Sequence, residues 1–134
     1  MRDAFCRITK KLFEKKKRVG AELPYKLLDN LAWVLSTPKG DEWVEAARGV
    51  YEFGMAQARG EVVDPDFVCF ILQYRHFLHT TTKREGENRA DMDRLLSMAE
   101  RIVEQAPEDS PDWARPRIQI QRAQAVLARL RQDS

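Results

Sequence analysis

The sequence predicts an all-α protein, and three observations carry that reading. Apolar residues recur at spacings of three and four in segment after segment. Almost no stretch alternates by two, and the periodic runs are punctuated by glycine, proline or a capping acid. The run Met92, Leu95, Leu96, Ala99, Ile102, Val103, Ala106 keeps one apolar stripe along a helix and leaves charge on the other faces. At 134 residues the chain can bury a core without staples. The expected architecture is a single compact domain, residues 1–134, of about six helices, arranged as a bundle or as helical hairpins.

The first helix is expected from Arg2 to Arg18, with Phe5, Ile8 and Leu12 on its inner face and Phe13 widening it. Gly20 should end it, and the cations from Lys15 to Arg18 suit the negative end of the helix dipole. Pro24 suits the first position of a second helix that buries Leu27, Leu28, Leu31, Val34 and Leu35. Trp33 lies off that line and is expected at the surface as an interface anchor. Residues 36–41 break the chain, with Thr37 or Asp41 as cap for a third helix. That helix carries Trp43, Ala47, Val50, Tyr51 and Gly54 inward.

Gly60 is the expected stop of the third helix. Asp64-Pro65-Asp66 then reads as a strong helix start, with a capping acid, a proline in first position and a second acid near the positive end of the dipole. The fourth helix, from Phe67 to about Leu78, is apolar around most of its circumference and should be the most buried. Thr80 to Asn88 reads as an exposed loop or a frayed join. A fifth helix runs from about Arg89 to Gln105, and a sixth begins after Asp112, with Pro116 in its first turn or at a kink. It carries Ile120, Ala123, Leu127 and Leu130 on one side and arginines on the others.

Charge is distributed unevenly. The first 26 residues hold nine basic side chains against three acidic ones, and residues 27–67 hold three against eight. Such a layout suits an anionic partner for the basic end. Cys6 and Cys69 both sit in apolar helical stretches and read as buried free thiols, which fits a reducing cytoplasm. The charged start (Arg2, Asp3) is not that of a signal peptide, and the most apolar window, Phe67 to Leu72, is too short to span a bilayer. No membrane association is therefore expected.

Four features could carry chemistry. Lys10, Lys11, Lys15, Lys16, Lys17 and Arg18 form a basic surface able to neutralise phosphates or carboxylates. Residues 23–35 and 43–58 have the lengths of a helix-turn-helix, but the would-be reading helix opens Asp41-Glu42-Trp43-Val44-Glu45, which repels a phosphate backbone. His76 and His79 are the only histidines, and no second Cys/His pair completes a zinc set with them and Cys69. Arg117, Arg122, Arg129 and Arg131 line the last helix and offer a second partner surface.

One acidic pattern carries a family resemblance. Glu42-x-x-Glu45, then Glu61-x-x-Asp64, resembles the carboxylate pattern of the all-α MazG-like nucleotide pyrophosphohydrolases. The resemblance implies magnesium held by those four side chains and hydrolysis of a nucleoside triphosphate. Here Glu61 follows Gly60 and Pro65 follows Asp64, so the second pair falls in a loop or first turn. The reading favoured by the sequence is a non-enzymatic helical binding module of adaptor or inhibitor type. No catalytic residue, cofactor or metal is assigned to it. Its expected partner is a protein, with nucleic acid or a second copy of the chain as further candidates.

Overall fold

The computed structural model describes residues 2–20, 22–36, 41–58, 63–81 and 88–132, and their side chains except at 2–3, 41–42 and 130–132. The protein is all-α. Its described elements are α1 (Arg2–Val19), α2 (Tyr25–Ser36), α3 (Asp41–Gln57), α4 (Pro65–Thr81), α5 (Arg89–Glu104) and α6 (Ala114–Gln132), with a 3-10 turn at Pro111–Trp113 leading into α6. The chain divides into two compact units, Met1–Gly60 and Glu61–Ser134.

In the first unit α2 and α3 make the tightest pair, and α1 lies mainly on α2. Leu28, Leu31, Ala32 and Leu35 of α2 are buried, as are Trp43, Ala47, Val50 and Tyr51 of α3. Ala32 and Ala47 are fully enclosed, and with no bulk beyond Cβ they permit close approach of the two helices. Leu27 and Val34 are only half-buried, so the inward face of α2 is narrower than its sequence suggests. Burial holds the Tyr51 phenol well above its ordinary range, and the negative charge of Asp29 pushes it further.

Helix α1 departs from expectation. Its buried line is Cys6, Thr9 and Phe13, while Phe5, Ile8 and Leu12 face solvent at 59%, 64% and 43% exposure. The chosen face has its own anchors. The Cys6 thiol donates to the Val34 carbonyl of α2 at 3.5 Å, and the Phe13 ring meets Phe53 of α3 edge-on with centroids 5.4 Å apart. The Thr9 hydroxyl, buried on this face, donates to the Phe5 carbonyl at 2.8 Å and so satisfies itself within the helix.

Gly20 closes α1 with φ of 75°, a left-handed conformation that its missing Cβ makes cheap, and its amide donates to the Lys17 carbonyl. The connection to α2 is pinned by a single side chain. The Gln57 amide accepts from the Leu23 N–H at 3.1 Å and donates to the Leu23 carbonyl at 2.6 Å. Pro24 lies just before α2 and supplies the carbonyl that receives the Leu28 amide.

In the second unit α4 packs against both α5 and α6, which also meet each other. Phe67, Val68, Phe70, Ile71, Leu72, Phe77 and Leu78 are buried, consistent with an element apolar around most of its girth. Asp64 caps α4 as its sequence implies: Oδ1 accepts the Asp66 amide at 2.9 Å. The stripe of α5 is buried at Leu95, Leu96, Ala99 and Ile102. Pro116 sits in the first turn of α6, fully buried, where a missing amide hydrogen breaks no helical bond. Ile120 is buried and Ala123 and Leu127 are half-buried. Cys6 is buried and Cys69 half-buried, and the two are not joined in a disulfide. Asp41 is the first residue of α3, and α4 continues through Thr80 and Thr81, which the sequence pattern assigns to the following loop. Thr37, the Asp41 side chain, Gly60, residues 82–87 and the Leu130 side chain lie outside the described residues.

Candidate functional site

The surface of α1 follows from its register. With Cys6, Thr9 and Phe13 turned inward, a helix of 3.6 residues per turn must carry Phe5, Ile8, Leu12 and Val19 on the adjoining face. All four are exposed, Val19 at 75%. One border of that stripe is set by Arg7, Lys11, Lys15 and Arg18, which succeed one another at helical spacings and are all exposed. The result is an apolar ridge with a cationic rail along one side.

The basic residues singled out in the sequence therefore fall into separate lines. Lys11, Lys15 and Arg18 belong to the rail. Lys10, half-buried, and Lys17, exposed, share a different face, and Lys16 stands half-buried on a third. Sequence reasoning missed Arg7, and it missed the ridge by assigning Phe5, Ile8 and Leu12 to the core. The available signal was the width of the apolar arc. Cys6 and Phe13 already make one inward line, and Phe5, Ile8, Leu12 and Val19 make a second beside it, more than two partner helices need to cover.

Trp33 projects from α2 at 60% exposure, as its position off the leucine line implies. On α6, Arg122 and Arg129 are exposed. Arg117 is engaged: its guanidinium donates to the carbonyls of Glu108 at 2.9 Å and Pro107 at 3.0 Å, bracing the turn before α6. The Arg131 side chain lies outside the described residues.

The acidic pattern is only partly described. Glu45 is exposed on α3 with its carboxylate 3.9 Å from Arg48, and Asp64 is the cap of α4. The Glu42 side chain and Glu61 lie outside the described residues. Among the described residues no three His, Cys, Asp or Glu side chains are grouped to hold a metal. No described helix is long and apolar enough to cross a membrane. No protein-family model, curated protein or solved structure matches the chain.

Proposed function

We propose that this chain is a non-catalytic helical binding module, of adaptor or inhibitor type, whose α1 receives an acidic amphipathic helix from a partner protein. The supporting observation is the pairing of ridge and rail on one helix: Phe5, Ile8, Leu12 and Val19 exposed beside Arg7, Lys11, Lys15 and Arg18. Apolar side chains in that number favour a partner with apolar side chains of its own. The cations select which one, because carboxylates flanking the partner's apolar stripe would meet them across the contact. A phosphate backbone satisfies the rail equally well but gives the ridge nothing to bury against, which is why a protein is preferred over nucleic acid.

The test is fluorescence anisotropy with a labelled helical peptide carrying leucines at three-four spacing flanked by glutamates. A scrambled peptide of the same composition and a labelled DNA duplex serve as comparisons. The patterned peptide should bind at least roughly tenfold tighter than the scrambled one, and Ile8→Ser with Leu12→Ser should remove most of that difference. Equal binding of both peptides would defeat the proposal. So would tight duplex binding that falls steeply with salt and ignores the Ile8 and Leu12 changes, which would make the protein a nucleic-acid binder.

A further inference from the structure

The second unit holds a cleft of about 410 Å³ between α4 and α6, with Met92 of α5 in its wall. Its volume is at the lower end of the ~300–1,000 Å³ typical of small-molecule sites. Two helical faces make it. Leu72, Arg75, His76 and His79 recur at helical spacing on α4, and Gln119, Arg122, Ala123 and Val126 do the same on α6. One portion of the lining is thus apolar (Leu72, Met92, Ala123, Val126), and the other brings two guanidinium groups, two imidazoles and the amides of Gln73 and Gln119 to one place.

Two polar atoms in these walls lack partners. Arg75 Nε and Gln119 Oε1 are buried and make no hydrogen bond among the described residues. Leaving a buried donor and acceptor dry is costly, and a protein retains such groups where something else satisfies them. The Asp93 carboxylate of α5 acts on Arg75, and the Arg122 guanidinium of α6 lines the same cleft. Burial lowers the Arg75 pKa, and the Asp93 carboxylate acts in the opposite direction. Two guanidinium groups against one carboxylate leave the cleft cationic.

We propose that this cleft binds a small amphiphilic oxyanion, a carboxylate or phosphate group carried on an apolar body. Its oxygens accept from Arg75 Nε–H and from the Arg122 guanidinium, which suits planar, delocalised donors. The Gln119 amide, turned about its last torsion, presents its NH₂ to the same group. The apolar body covers Leu72, Met92, Ala123 and Val126, and His76 and His79 stand exposed at the rim as additional donors. The site is independent of α1, so its failure would leave the reading of the first helix untouched.

The experiment is a ¹H–¹⁵N correlation titration of the full chain with 1-naphthyl phosphate, with 2-naphthoate, and with neutral 2-naphthol. Either anion should shift amides of α4 and α6 around the cleft and saturate, and the better of the two identifies the headgroup. Naphthol should bind roughly tenfold more weakly or worse, and Arg122→Met, at an exposed position, should weaken the preferred anion by a similar factor. Arg75→Met should weaken it further, while Arg94→Met on the outer face of α5 should not. Binding of naphthol as tight as either anion would overturn the proposal. Unchanged affinity in Arg122→Met, or shifts that map to α1, would do the same.

Discussion

Helices α1 and α5 are both amphipathic, yet they use their apolar residues in opposite ways. In α5 one stripe exists and its centre is consumed: Leu95, Leu96, Ala99 and Ile102 are all buried, with Met92 and Val103 half-buried at its margins. In α1 two stripes lie side by side, and only Cys6, Thr9 and Phe13 reach the core. The difference teaches that periodicity identifies a helix but not how much of its apolar arc the neighbours can cover. A single narrow stripe has one solution. A wide arc has several, and the anchors decide: the Val34 carbonyl waiting for Cys6 and the Phe53 ring waiting for Phe13 turn α1 away from its bulkier side.

Truncation breaks the comparison most sharply. Leu95→Ala should cost about 2–5 kcal/mol in urea unfolding, because Leu95 is 1% exposed and its loss leaves a cavity. The same chemistry on the ridge of α1 should cost far less.

Alkali probes the first unit's core without a mutation. The Tyr51 phenol has its folded pKa raised, so its contribution is fully present below the unfolded value of 10.0 and is lost as pH climbs past it. The unfolding free energy should fall above that pH by up to about 1.4 kcal/mol per pH unit from this group. Tyr51→Phe should remove that part of the slope, and an unchanged slope would show that the ring is not enclosed as described.

Ile8→Ser is the smallest effect and the most telling. At 64% exposure the change should alter stability by no more than ~0.5 kcal/mol. A loss comparable to that of Leu95→Ala would place Ile8 in the core and abolish the ridge.

Much of the fold was legible in the sequence because local signals agree with packing. Asp64-Pro65 opens α4, Gly20 closes α1, Pro116 lands in a first turn, and Trp43, Ala47, Val50, Tyr51 and Gly54 all face inward. The orientation of α1 was not legible, since Phe5, Ile8 and Leu12 outweigh Cys6, Thr9 and Phe13 on any hydrophobicity scale. What tips the balance are contacts to Val34 and Phe53, 28 and 40 positions distant in the chain. Trp33 was readable as exposed because it breaks a line of leucines. Arg75 was not readable at all, since only the pairing of α4 with α6 places it opposite Gln119 and Arg122.

The Gln57 amide that grips both backbone groups of Leu23 is an uncharged latch. Ionic strength screens the rail of α1 but has no comparable hold on a neutral amide pair. Raising salt should therefore weaken the hold of the proposed acidic partner while the joint behind α1 keeps its shape. A salt series on this protein would then report on the contact itself, uncontaminated by loosening of its mount.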